Sequence, residues 1–197
     1  PESAGSYTIS WTASHNATSY VLQRAADAGF SSPVQVYAGS ATSYTAASQG
    51  IGVYYYRVLG RNRLGDSNWS DPQNVAVRWE TEPNNSQAAA NGPLQPNVDY
   101  YGYPNDWGDY LAVDIAATST ITVEMTGHTG GGVQLSLYDP AGTLVRRDTV
   151  APYQTTYTPT PGRYVIYIYT GWGYNKNQAY TLRVSQALPA PDADDAA

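Results

Sequence analysis

Apolar and polar residues alternate with a period of two along most of this chain, the spacing of half-buried strands, and helical spacing is poor throughout. In the first third, "SYTISWTA" sets Tyr7, Ile9 and Trp11 on one face. "TSYVLQRA" sets Tyr20, Leu22 and Arg24 opposite Val21 and Gln23, and "PVQVYAG" and "TSYTA" follow. The strongest pattern is "GVYYYRVLGRN", with Val53, Tyr55 and Arg57 on one face and Tyr54, Tyr56 and Val58 on the other; "NVAVRW" closes the region. Past residue 80, "DYLAVDIAATSTITVEMTG", "GVQLSLYDPAG", "TLVRRDTVA", "TTYTPTPGRYVIYIYTG" and "QAYTLRVSQ" read as successive strands. "DPAG" and "TPGR" carry the Pro and Gly of tight turns. In "RYVIYIYT", Tyr164, Ile166 and Ile168 oppose Val165, Tyr167 and Tyr169, so both faces are apolar or aromatic and the strand is expected at the centre of its sheet. The chain is expected to be all-β.

Composition narrows the partners. A length of 197 residues suits one large or two small domains. Ten basic against sixteen acidic side chains, a formal charge of −6, leave no basic stripe to neutralise phosphates, which argues against nucleic acid. Cysteine is absent, so neither disulfides nor thiol chemistry enter. No apolar run is long enough for a membrane-spanning helix. Nineteen Tyr and five Trp against one Phe favour thin sandwiches with aromatic surfaces, suited to carbohydrate or protein binding.

Residues 5–78 resemble a fibronectin type III domain. Trp11 of "ISW" matches that family's core tryptophan, and Tyr54, Tyr56, Arg57, Val58, Asn62, Gly65, Ser67, Trp69 and Ser70 match its late-strand pattern. The resemblance implies an immunoglobulin-like sandwich acting as spacer or adhesion scaffold. Only Pro1–Gly5 precede the "ISW" strand, so the family's first strand is expected to be missing. Residues of about 80–186 resemble the bacterial pre-peptidase C-terminal domain, related to the collagen-binding domains of clostridial collagenases. The marks are "ETEPNN", "AAANGPL", "DWGDYLAV", "VQLSLYDPAG", "PGRYVIYI" and "YTLRV" in that order. This implies a jelly-roll-like β-sandwich behind a secreted hydrolase, serving targeting or adhesion. The expected layout is therefore a first domain over 1–78, a linker with a cation-binding lead-in over 79–93, a second sandwich over 94–186, and a disordered acidic tail over 187–197.

The stretch "WETEPNN", residues 79–85, joins the two regions and concentrates oxygen donors. Calcium takes six to eight oxygens. Glu80 and Glu82 offer carboxylates, Asn84 and Asn85 amide or backbone oxygens, and the "NDWGDY" turn adds Asp106 and Asp109. Four carboxylates crowded together without a cation would repel one another. The resemblance places calcium ligands in these two segments, with Asn85 standing where calcium-binding relatives often have Asp. Bound calcium is expected to stabilise the domain junction. With no cysteine, and with His15 and His128 far apart in sequence, the pattern does not suit zinc.

Two loops, "VDYYGYPNDW" and "YTGWGYNKNQAY", carry aromatic rings, and Tyr101, Tyr103, Trp107, Trp172 and Tyr174 are the candidate ligand contacts. The alternative for each ring is packing over a thin core. His15 and His128 both fall in turns and are expected to be exposed. No G-x-S-x-G or H-E-x-x-H motif occurs, and the Gly130–Gly132 run lacks the Lys-Ser/Thr of a phosphate loop, so catalysis is not expected. The reading is a non-catalytic accessory module of a secreted bacterial hydrolase, a peptidase by the resemblance, with calcium as cofactor and an insoluble protein or polysaccharide substrate as partner. It is expected to be a monomer as an isolated fragment, away from nucleic acid and membrane. A carbohydrate-binding accessory of a polysaccharide hydrolase, or a plain spacer, are the alternatives.

Overall fold

The computed structural model describes residues 2–3, 5–104, 106–128, 131–171 and 175–187. The chain divides into two compact units, Pro1–Thr81 and Glu82–Ala197. Both are β-sandwiches, so the all-β expectation holds.

In the first unit the strands are β1 (Glu2–Ser3), β2 (Tyr7–Ser10), β3 (Ser19–Ala25), β4 (Val34–Gly39), β5 (Ser43–Ala46), β6 (Gly52–Asn62), β7 (Gly65–Asp66) and β8 (Gln73–Val77). One sheet runs β1-β8-β6-β3-β4, with β7 paired to β6, and the other pairs β2 with β5. The short β1 lies parallel to β8, Glu2 opposite Ala76. Tyr20, Leu22, Tyr56, Leu59 and Val77 are core residues. The arginines of this unit cover rings and pair locally. Arg57 sits between the rings of Phe30 and Trp69, at 4.2 and 4.6 Å, while its Nε and Nη2 donate to Gln23 Oε1. Arg24 lies over Tyr54, and Arg61 pairs with Asp66. His15 is exposed, as its turn position predicts.

In the second unit, a 3-10 turn (Gln87–Ala89) precedes β9 (Asn91–Leu94), β10 (Asp99–Gly102), β11 (Gly108–Ile115), β12 (Ile121–Thr126), β13 (Val133–Tyr138), β14 (Leu144–Asp148), β15 (Tyr153–Tyr157), β16 (Gly162–Thr170) and β17 (Tyr180–Gln186). The sheets are β10-β17-β12-β15 and β14-β13-β16-β11-β9, with β16 central as its two apolar faces require. Leu111 and Val113 of β11, Leu135 and Leu137 of β13, and Ile166 and Ile168 of β16 form one side of the core. Ile121 and Val123 of β12 with Leu182 and Val184 of β17 form the other.

Two expectations change here. Part of the aromatic stretch taken as a loop is β10, with Tyr100 in the core, because Tyr100 and Gly102 share the inward parity and the Tyr100 hydroxyl accepts from Gln95 N at 2.9 Å. Tyr164 faces the core, opposite in parity to Tyr167 and Tyr169, as the alternation in "RYVIYIYT" predicts. His128 is half-buried rather than exposed: its Nε2 is enclosed, its ring lies 6.4 Å from that of Tyr153, and burial holds its pKa below the usual imidazole value.

Candidate functional site

Strand β11 carries the anomaly that defines the site. Its parity sends Asp109, Leu111, Val113 and Ile115 inward and Tyr110 and Asp114 outward, while Ala112 on the outer face is itself covered. Leu111, Val113 and Ile115 are core residues, and Asp109, at the start of the same row, is 0% exposed. Burying a carboxylate costs several kcal/mol unless a charge or hydrogen bonds compensate. The carboxyl groups of Glu80 and Glu82 stand with that of Asp109, each offering an oxygen such that all three lie within 4.8 Å of one another.

Local backbone geometry assembles this group. Asn84, itself fully buried, accepts from Tyr110 N through its carbonyl at 3.1 Å, so the lead-in segment runs beside the first residues of β11. Glu82 Oε2 accepts from Asn84 N at 2.9 Å. Burial raises the Glu82 pKa above the usual carboxylate value; the Asn84 N–H opposes that rise, and the charge of Asp106 adds to it.

The turn before β11 is held from the other side. Asp106 Oδ1 accepts from Gly108 N at 2.9 Å, closing a tight turn over Trp107. The Asp106 carbonyl accepts from Thr170 Oγ1 at the end of β16. The Trp107 carbonyl accepts from Tyr167 Oη at 3.4 Å and Thr170 N at 3.5 Å. Gly108 has φ +146°, and a Cβ there would stand 2.5 Å from Tyr167 Cε2 and 2.7 Å from Ile168 O, so only glycine fits this approach. The Trp107 side chain is 70% exposed.

The donor set is three carboxylates with an asparagine beside them, hard oxygen ligands that can hold a hard divalent ion. Of the residues singled out from sequence, Glu80, Glu82 and Asp109 are brought together and Asn84 is buried next to them. Asp106 lies close enough to Glu82 to act on its ionisation, and Asn85 is exposed. Among the aromatic candidates, Trp107 and Tyr103 are exposed and Tyr101 is half-buried on β10; Trp172 and Tyr174 lie outside the described residues. Sequence reasoning missed the stack of Tyr110 on Tyr167, with ring centroids 4.3 Å apart on the outer face of the β11–β16 pair. The alternation in "GDYLAVDI", which turns Tyr110 away from Leu111, was the signal that could have found it.

No protein-family model matches the chain, and no curated protein matches it in sequence. Among solved structures, the pre-peptidase C-terminal domain of a collagenase from Bacillus anthracis is 18% identical over 47% of this chain and 91% of that one, with a TM-score of 0.40. The FN1–FN3 domains of chicken CNTN1 are 15% identical over 96% of this chain and 62% of that one, with a TM-score of 0.34. PliG of Aeromonas hydrophila, a periplasmic inhibitor of g-type lysozyme, is 14% identical over 45% and 83%, with a TM-score of 0.32. These likenesses concern the β-sandwich fold at low identity, and no argument about function is built on them.

Proposed function

We propose that this chain is a non-catalytic targeting module of a secreted bacterial hydrolase, that it binds calcium through Glu80, Glu82 and Asp109, and that it meets its substrate through the exposed aromatic turn at Tyr103 and Trp107. The observation that carries the reading is the inward-facing Asp109, grouped with two further carboxylates immediately beside a 70% exposed tryptophan. Calcium would add a positive charge among these grouped carboxylates, with Asn84 and Asp106 near enough to complete or support the shell. Asn85, being exposed, fits a backbone or peripheral role at most. Calcium binding would pin the lead-in segment to β11 and stabilise the folded form by linkage. Trp107 presents a large flat ring with its backbone anchored, the kind of contact that packs on an extended polypeptide or stacks on a sugar face.

Adsorption to insoluble collagen, elastin, cellulose, chitin and xylan tests this function, with Trp107→Ala as the control. Adsorption to a protein fibre that Trp107→Ala abolishes supports the peptidase-accessory reading. Adsorption to a polysaccharide instead supports the second reading, a carbohydrate-binding accessory, which the exposed indole also favours. Adsorption to none of the five at high protein concentration leaves a spacer and rejects the targeting function. No helix among the described residues is long and apolar enough to cross a membrane.

A further inference from the structure

We infer that the chain cuts itself at the Asp71–Pro72 peptide bond, the aspartate side chain attacking its own main-chain carbonyl. This activity is independent of the proposed cation site and of the Trp107 contact. Two Asp-Pro bonds occur in the sequence, Asp71–Pro72 and Asp139–Pro140, and the same chemistry is open to both. A side-chain carboxylate oxygen reaches the carbonyl carbon of its own residue through a five-membered ring. Proline nitrogen, part of a tertiary amide with no N–H, leaves as a secondary amine. The fold treats the two bonds differently.

Asp139 is tied down in the turn between β13 and β14. Its Oδ1 accepts from Ala141 N at 2.9 Å and from Thr143 N at 2.8 Å, and its own N donates to Thr143 O at 2.9 Å. Both bonds to Oδ1 draw on the electron density of the carboxylate and fix its rotation, so attack on the Asp139 carbonyl disrupts them. Asp71 is the opposite case. It is exposed, in the connection between β7 and β8, and its carboxylate has no hydrogen-bond or ion-pair partner among the described residues. Its carbonyl is engaged instead: Ser70 Oγ donates to Asp71 O at 3.2 Å. The same hydroxyl accepts from Val58 N at 3.1 Å, and Ser70 N donates to Val58 O at 2.8 Å, so β6 holds the donor in place and leaves its proton for the Asp71 oxygen. A donor set there in advance stabilises the negative charge that gathers on that oxygen as the ring closes. Pro72 is exposed, so water reaches the bond.

In the step, a bond forms from the Asp71 carboxylate oxygen to the Asp71 carbonyl carbon. The bond from that carbon to Pro72 N breaks, and the nitrogen takes up a proton from solvent. One water then opens the cyclic anhydride, leaving Asp71 with two free carboxyl groups and Pro72 as a new amino terminus. The net change is hydrolysis, with water as the one co-reactant. Residues 72–197 then carry β8 as their first strand, still paired with β6 over Gly52–Tyr56 and with β1. From that point the two pieces are held together through the pairing of β8 rather than by a peptide bond.

The test incubates the whole chain in a mildly acidic buffer in which circular dichroism shows it folded, and in parallel with concentrated urea, and follows fragments by mass spectrometry under denaturing conditions. In the folded chain, fragments 1–71 and 72–197 should appear about ten-fold faster than those from Asp139–Pro140. In urea the two rates should converge. Asp71→Glu, whose attack needs a six-membered ring, should remove the first pair of fragments and leave the second. Ser70→Ala, checked for an unchanged dichroism spectrum, should slow the Asp71 cut about five-fold, and Ser70→Thr, which keeps the hydroxyl, should restore it. Equal rates at the two bonds in the folded chain, or no cut at either, overturn the inference. An unchanged rate in Ser70→Ala overturns the part given to that hydroxyl.

Discussion

Asp109→Asn is the substitution on which the reasoning about the site turns. It keeps the shape of the side chain and removes its charge. Two ionised carboxylates 4.8 Å apart, the outer limit of the observed group, repel by about 3.5 kcal/mol at an effective dielectric constant of about 20. Asp109 faces two such partners. Glu82 is exposed at the surface and Glu80 is half-buried, so solvent and salt screen much of this, and a net penalty of about 2 kcal/mol is the working figure. In chelator, Asp109→Asn should therefore stabilise the second unit by about 2 kcal/mol, a rise in its Tm of roughly 8 °C at about 4 °C per kcal/mol. In calcium at about one hundred times Kd the wild type should gain about 2.7 kcal/mol through linkage. The variant, having lost the innermost ligand, should gain less than a third of that. The order of stabilities thus reverses between the two conditions. Calorimetric scans of wild type and variant in chelator and in calcium measure it, with the second unit's transition followed separately. A variant less stable than wild type in chelator would refute the argument: the Asp109 carboxylate would then be held by protein hydrogen bonds worth more than the repulsion, and the cluster would need no ion.

Further outcomes follow from other features. The folded-state pKa of Glu82 is raised, so its folded form favours the proton; this group's contribution to stability in chelator is full below the ordinary Glu value and is lost as pH rises through the raised one. The difference in Tm between wild type and Glu82→Gln, followed against pH, should show that trend in chelator, and calcium affinity should fall on acidification as protons compete for the same oxygens; a flat difference would remove Glu82 from the site. Ser136 is buried on the outer face of β13 opposite Tyr167, and its Oγ has no hydrogen-bond partner among the described residues. Ser136→Ala should raise stability by about 1 kcal/mol in urea denaturation, and a loss would reveal an ordered water at the hydroxyl. Arg57→Lys should destabilise the first unit by about 1–2 kcal/mol, since an ammonium cannot fill the planar slot between Phe30 and Trp69 while bonding Gln23; an unchanged denaturation midpoint would make the ring contacts incidental.

The strands were legible wherever alternation ran long. "GDYLAVDI", "VQLSLY" and "GRYVIYIYT" became β11, β13 and β16 with the parity their patterns specify. The short strand β10 was hidden because three tyrosines in four residues around Gly102 carry no polarity contrast, and only pairing with β17 shows which ring turns inward. His128 was misplaced for a related reason: a glycine-rich turn says nothing about whether an aromatic neighbour such as Tyr153 closes over it.

By itself the sequence determined the all-β class, the central position of β16, and the residue types from which a cation site could be made. Those follow from local spacing and from the chemistry of side chains. Tertiary structure alone decided that Glu80, Glu82 and Asp109 meet while Asn85 stays outside, and that Trp107 is exposed while Tyr100 and Tyr164 are core. Both are matters of register. One hydrogen bond, Tyr110 N to Asn84 O, places the lead-in segment against β11, and no local pattern encodes a contact across that many residues. The carboxylate at the head of an apolar row reads in sequence as an ordinary turn aspartate, and becomes a site only when the fold sets two more beside it.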